Sequence, residues 1–416
     1  MPKAPDDIRA LIDDYLCLSE SAENQRRLAM WERELAARDQ WHGRPRLGSL
    51  RRDGVVPVEV IIQYPFFLPL FRMDLAEVYQ NPVAYLRFHL QRLNWVFQNV
   101  PDDVPLDGVV PIYLSTPFEP SLFGVPLQWF AHQDPAINQQ AGAPVQGRQD
   151  LQRLEPIDFG RSGMMPLAIR LYEEVRELVA GDLVVLFPEW QRGPFGIAHY
   201  LRGYQDLLAD LAADPEFVHA IMAHITRQRR AWSEERARYL GEPVSPATIL
   251  DDEVDAAVIG PHHYRDFILP YEKEIGQFHG CISYWHSCGN IAPIARHVVG
   301  IGCVEMLDVS GWTDLERVLS SIDARGLRIE RRFKPVEDLQ GATPEWMEER
   351  IRHTVKLACQ YGFGALCLRT SGIQPWENPQ ADIEKVRCWI GIARRVVGEE
   401  LQAKGVQPQP GVPCVG

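Results

Sequence analysis

A chain of 416 residues is long enough for a large core and, by length alone, for two or three domains or one elaborated barrel. Its hydrophobic share of 46% and charged share of 24% are those of a globular protein, and a net charge of -13 argues against the basic face that nucleic-acid binding needs. No apolar run reaches the length of a bilayer span, and the opening Met1-Pro2-Lys3-Ala4-Pro5-Asp6-Asp7 lacks a signal-type apolar segment, so the sequence reads as cytoplasmic, without membrane or nucleic-acid partners.

The predicted elements begin with a charged helical stretch over 19–38, carrying Leu28, Met30, Trp31 and Leu35 among good helix formers. Arg44-Pro45-Arg46 and Asp53-Gly54 end it, so 1–50 is read as an N-terminal helical extension on a main domain spanning 51–404. Eight runs rich in strand formers follow, at 56–63, 109–114, 183–187, 247–250, 282–285, 304–307, 327–330 and 365–369. Helical patterns separate them, notably 167–178, 196–239, 315–322 and 344–361, and a last helix over 382–401 closes the chain. Residues 405–416, rich in Gly, Pro and Val, are expected to fray as a flexible tail.

Strands alternating with helices imply a parallel sheet with crossover helices. Eight strands fit an α/β chain folded as a closed (β/α)8 TIM barrel, and no Gly-x-Gly-x-x-Gly follows the first strand to suggest a dinucleotide site. The stretches 64–105 and 117–163 are long insertions of the kind that build a lid or pocket wall. They hold Tyr64, Phe66, Phe67, Phe71, Phe118, Phe123, Trp129 and Phe130, readable either as a satellite core or as an aromatic-lined pocket over the barrel mouth.

Polar residues recur just after the apolar runs, where barrel chemistry sits. Gln63, Tyr64, Glu189, Asn290 and Ser371 are candidate substrate-binding residues there, beside Gln191, Asp308 and Asp314. His286 and Cys288 offer an imidazole and a thiolate two residues apart, a good zinc donor pair, although a core histidine and a buried thiol would read the same way. A third ligand is needed: Cys367 is the natural candidate, with Asp252, Glu253 or Glu189 as carboxylate alternatives. The run Asp251-Asp252-Glu253 holds mutually repelling acids, of which Asp251 or Asp252 could serve as a catalytic acid or base, or simply cap a turn. Arg369 could clamp a carboxylate or phosphate bidentately, or pair with a structural acid. The other cysteines, Cys17, Cys281, Cys303, Cys359, Cys388 and Cys414, form no spaced framework.

Four stretches resemble the uroporphyrinogen decarboxylase superfamily, and its cobalamin-dependent methyltransferase branch more than the decarboxylases proper. They are Gly193-Pro194-Phe195-Gly196-Ile197-Ala198 with Leu201-Arg202-Gly203, and Asp251-Asp252 with the run from Pro261-His262-His263 to Pro270-Tyr271. The others are His286-Ser287-Cys288-Gly289-Asn290, and Ser371-Gly372-Ile373-Gln374-Pro375 with Glu377-Asn378. The resemblance covers roughly 50–400 and implies a (β/α)8 barrel with a zinc site at His286 and Cys288. It further implies a corrinoid carried by a partner protein, because the chain shows no corrinoid-binding domain of its own.

Two departures qualify what is implied. The decarboxylase branch has an arginine-rich motif after its first strand, whereas this chain reads Gln63-Tyr64-Pro65-Phe66-Phe67, with no arginine before Arg72. The closing motif of the methyltransferase branch starts with a third zinc-binding cysteine; here that place is Ser371, and Cys367 lies four residues earlier, about 13 Å along a strand. The expectation is therefore a zinc-dependent methyltransferase moving a methyl group between a small-molecule O-, N- or S-methyl or thiol substrate and a corrinoid. The alternative is a metal-free lyase, a decarboxylase of a carboxylated substrate using Asp251 or Asp252 and Arg369. A homodimer is left open.

Overall fold

The computed structural model describes residues 5–32, 46–47, 55–323, 327–362 and 365–403. Two helices open it, α1 (Asp6–Ser19) and α2 (Ala22–Ala29). The part of the expected N-terminal helix beyond residue 32 and the expected tail over 405–416 lie outside the described residues.

All eight expected strands form. In chain order they are β1 (Val58–Ile62), β2 (Val109–Pro111), β3 (Val184–Leu186), β4 (Ala247–Leu250), β5 (Ile282–His286), β6 (Met306–Val309), β7 (Arg328–Phe333) and β8 (Ala365–Ile373). Between them run α3 (Tyr64–Phe71), α4 (Pro82–Asn99), α5 (Met165–Val179), α6 (Pro194–Arg202), α7 (Pro215–Leu240), α8 (Leu269–His279), α9 (Leu315–Ser321) and α10 (Pro344–Tyr361). The last helix is α11 (Pro379–Ala403). Strands β4, β5, β6, β7, β8 and β1 form one parallel sheet in that order, while β2 and β3 pair separately, also in parallel.

The strands curl into a barrel-like half-shell, but the closed ladder expected from the sequence is corrected at two places. Between β3 and β4 the contact is a single bridge, Arg192 to Leu250. Between β1 and β2 there is no ladder. Carboxylates stand in for it: Asp103 accepts from the Val58 amide at 2.8 Å and Asp102 from the Val60 amide at 3.2 Å. Buried amides need acceptors, and side chains satisfy these where a neighbouring strand does not. Arg26 and Arg27 of α2 and Arg394 of α11 neutralise the two aspartates.

Strand β8 is the second correction of consequence. It runs nine residues rather than five, so Cys367 is its third residue and not its end. The aromatic insertions divide between the two readings. Phe66 and Phe67 are core, with ring centroids 5.9 and 5.7 Å from Trp95, whereas Tyr64 and Phe118 face a cavity.

Candidate active site

The carboxyl ends of the strands open into a cavity of about 380 Å³. The β1 end supplies Gln63, the start of α3 supplies Tyr64, and α4 supplies Arg92. Segments after β2, β3, β4 and β5 bring Glu119, Glu189, Asp252 and Cys288. Apolar side chains such as Ile62, Leu250 and Phe333 form much of the remaining wall.

Three of the expected residues converge on its wall. The last residue of β5, His286, points Nε2 to 2.9 Å from Asp252 Oδ1 and 3.3 Å from Cys288 Sγ. The Cys288 amide, in the turn after β5, donates to the same Asp252 oxygen at 3.3 Å. One ligand atom from each residue lies within 4.8 Å of the others. Cys288 is exposed and His286 is 2% exposed, so the cluster opens on the cysteine side.

The opposite ring nitrogen of His286 is fixed from behind. Nδ1 hydrogen-bonds Asp308 of β6, which is paired at the same oxygen with Arg332 of β7 at 2.5 Å. The Tyr284 hydroxyl is 3.0 Å from Asp308 and 2.7 Å from Glu330, and accepts from Arg332 at 3.1 Å and Arg369 at 3.2 Å. Arg369 in turn pairs with Glu330 and lies 3.9 Å from Glu59. These residues sit two apart on their strands (284 and 286, 330 and 332, 367 and 369), so the pleat turns each pair to the same face. The middle of the shell is therefore ionic where barrels usually carry branched apolar layers.

Electrostatics follow the geometry. Burial opposes ionisation of Asp252, but its bonds to His286 and Cys288 and the charges of His286 and Arg192 outweigh it and hold the carboxyl well below its ordinary value. For His286, burial and Arg332 disfavour the cation; Asp308, Cys288 and Asp252 prevail and raise it.

The other expected residues take different places. Asp251 is fully buried and faces the start of α6, accepting from the Phe195 amide at 3.3 Å and the Gly196 amide at 2.6 Å. A Cβ at Gly193 would stand 2.3 Å from its carboxylate, so glycine is required for this approach. Burial, Glu253 and Glu272 push its pKa up. Asp251 thus caps a helix and does not line the cavity. Asn290 caps its own turn through the Ala292 amide at 3.0 Å. Glu189 lines the cavity beside Arg236 at 3.5 Å, and Gln63 and Tyr64 line it directly. Ser371 lies within β8, and its side chain is outside the described residues.

Cys367 is a correction. It does not join His286 and Cys288 but groups with Glu59 and Glu330 inside the shell, where it packs with Trp31 and Ala365. Its position low on β8 is the cause. Arg369 is corrected likewise: it touches the cavity wall, but its guanidinium is engaged by Glu330 and Glu59. Sequence reasoning put Asp308 in the polar ring without a role and missed Arg332, Tyr284, Glu330 and Arg92. The two-residue spacing of charges along β7 was the available signal.

The donor set fits a zinc ion. In a tetrahedral site, N, O and S ligand atoms stand roughly 3.3–3.6 Å apart. The observed 2.9 and 3.3 Å need only a few tenths of an ångström of spreading. A carboxylate on the far nitrogen of a metal-binding histidine is the usual supporting arrangement, and Asp308 provides it.

The profile of the family described as uroporphyrinogen decarboxylase (URO-D) matches residues 82–365. The chain belongs to that family. A curated member-like relative is the methylated-thiol--coenzyme M methyltransferase of Methanosarcina mazei, 21% identical over 202 residues, covering 48% of this chain and 52% of that protein. The match thus spans about half the length of the relative. A solved methyltransferase from Methanosarcina mazei superposes with a TM-score of 0.57 at 17% identity, over 82% of this chain and 94% of that one. This likeness shows a shared fold. Among the described residues no helix is long and apolar enough to cross a membrane.

Proposed function

We propose that the chain is a zinc-dependent methyltransferase. It would move a methyl group between a small-molecule O-, N- or S-methyl or thiol substrate and a corrinoid carried by a partner protein. The observation that carries this reading is the convergence of Asp252, His286 and Cys288 at the cavity, with Asp308 behind the imidazole. The names of both relatives support methyl transfer.

Asp252, His286 and Cys288, on the cavity wall, would hold the ion. Zinc, when bound, supplies a Lewis acid that keeps a substrate thiol as thiolate or polarises a methyl-bearing heteroatom. With a metal in place of the Nε2 proton, Asp308 would keep the remaining His286 proton on Nδ1 and leave the Nε2 lone pair to the ion. Arg332 and Tyr284 hold Asp308 in place. Ile62, Leu250 and Phe333 reduce water around the reacting atoms. The open mouth leaves room for a corrinoid protein to approach.

The decarboxylase alternative has less support. Asp251 is sealed behind α6, and Arg369, its intended carboxylate clamp, is engaged by Glu330 and Glu59. The deciding experiment is elemental analysis of the purified protein beside Asp252→Ala, His286→Ala and Cys288→Ala. About one zinc per chain, lost in the variants, supports the reading. Metal-free protein after zinc-replete expression refutes it.

A further inference from the structure

Arg92 is the conspicuous cation of the cavity wall. The other arginines there are paired: Arg192 with Glu253 at 3.1 Å, Arg332 with Asp308, and Arg369 with Glu330. Arg92, on the inner side of α4, makes no hydrogen bond or ion pair with any described residue, and its Nε is buried without a partner. Its guanidinium carbon sits 5.5 Å from the centroid of the Tyr64 ring. Behind that ring, His89 is fully buried, and burial together with Arg92 pushes its pKa well down, so no second cation shares the place. A half-buried guanidinium with no ion-pair partner among the described residues is costly unless something else supplies an anion.

The rest of the cavity defines the body of the ligand. Tyr64, Tyr113 and Phe118 face it among aliphatic side chains, and carboxylates such as Asp134, Glu119 and Glu189 also reach the wall, so Arg92 marks the one place there where an anion meets a cation without an ion-pair partner among the described residues. A cavity of about 150 Å³ takes a benzene ring; 380 Å³ takes a substituted ring with its polar ends.

We propose that Arg92 anchors the anionic end of an aromatic carboxylate, with the reacting heteroatom of that substrate at the Asp252–His286–Cys288 cluster. The planar fork of arginine matches a carboxylate in a two-point contact, and the Tyr64 face backs it. The reacting end rests on the methyl-transfer reading above; the anchoring end stands without it.

The test is calorimetric binding of 4-methoxybenzoate and of its neutral counterpart 4-methoxybenzyl alcohol to the zinc-loaded full chain, with Arg92→Gln and Arg92→Lys beside it. The wild type is expected to prefer the benzoate by about tenfold or more. Arg92→Gln brings that ratio close to one by weakening the benzoate alone, and Arg92→Lys falls between, because it keeps the charge and loses the fork. If Arg92→Gln does not fold, a roughly threefold or larger drop in the ratio for Arg92→Lys carries the same decision. An unchanged ratio in the variants overturns the proposal. So does failure of the wild type to bind the benzoate at tens of millimolar. If the preference stays Arg92-dependent in a protein that binds no zinc, the anchor stands and the zinc reading falls.

Discussion

Asp308 offers the sharpest perturbation of the site, because it touches the Asp252–His286–Cys288 cluster only through His286. Its Oδ2 atom accepts from His286 Nδ1, faces Arg332 at 2.5 Å and lies 3.0 Å from the Tyr284 hydroxyl, all inside the shell. Asp308→Asn keeps the shape and a carbonyl acceptor but removes the charge. Breaking a buried ion pair costs about 3–5 kcal/mol when the surviving partner is stranded. Here Arg332 retains Glu330 at 3.6 Å and Tyr284 at 3.1 Å, which brings the expected loss to or below the bottom of that range, about 2–3 kcal/mol. The second effect is on zinc. With a weaker acceptor on Nδ1 the ring is less basic and less firmly oriented, and zinc affinity should fall about 10- to 100-fold.

Two assays separate these effects. Urea unfolding of metal-free protein reads the stability, and competition with a chromophoric chelator reads zinc affinity of the folded protein. A folded Asp308→Asn protein that binds zinc within about threefold of the wild type would refute the role assigned to Asp308. Loss of zinc only in step with loss of folded protein would refute it equally.

Three further outcomes are expected. Cys288→Ser should lower zinc affinity by about tenfold or more, since a hydroxyl is a poor replacement for thiolate, whereas Cys367→Ser should leave chelator titrations unchanged and cost about 1–2 kcal/mol in unfolding; equal zinc loss in both would restore Cys367 as a ligand. Asp103→Ala strands the Val58 amide and takes a carboxylate from Arg26, which keeps Glu23, and from Arg394, which keeps the Asp102 carbonyl, and should cost about 2–3 kcal/mol in urea unfolding; a cost below about 1 kcal/mol would mean the seam is held otherwise. Glu272, buried against Tyr264 and Trp285, has its pKa pushed by burial from 4.5 to about 7. Its neutral form is the one the fold favours, so its contribution is complete below pH 4.5 and withdrawn as pH rises through 7. The withdrawal is at most on the order of 3 kcal/mol. Unfolding free energies of Glu272→Gln measured from pH 4.5 to 7 should therefore fall less steeply than those of the wild type; parallel curves would show that Glu272 ionises normally.

The strands were legible because most are buried runs of β-branched and aromatic residues, as parallel strands covered on both faces are. Their ends were less so, and the errors fall where charge enters the sheet. The segment Arg328–Phe333 reads as a strand only to Glu330 if charged residues are assumed to face water. In the structure Glu330 and Arg332 face inward and neutralise one another's neighbours. Likewise β8 continues past Arg369, which moved Cys367 away from the rim. His286 and Cys288 were legible from spacing, and Asp252 from its place after β4. Asp251, one residue earlier, carries the same local signal, and only the α6 amides that it caps distinguish the two. Arg92 had no signal at all. An arginine on an amphipathic helix looks the same in sequence whether it faces solvent or a cavity.

The chain presents two groups of potential metal donors among its described residues, and charge decides between them. Glu59, Glu330 and Cys367 lie as close together as the rim cluster does. Arg369 already occupies that inner group, paired with Glu330 and 3.9 Å from Glu59, so a divalent ion there would have to displace a buried, paired guanidinium. The rim cluster has no such occupant. Its neighbours add negative charge behind it: Asp308 and Glu330 with Glu59 give three carboxylates against Arg332 and Arg369. The carboxylate nearest the cluster, Asp308, lies on the Nδ1 side of His286, where it favours a cation at Nε2 without competing for it. The same ionic interior that makes Arg369 unavailable as a substrate clamp thus supports the proposed metal site, and it would leave recognition of an anionic substrate to a cation outside the barrel strands, which is where Arg92 stands.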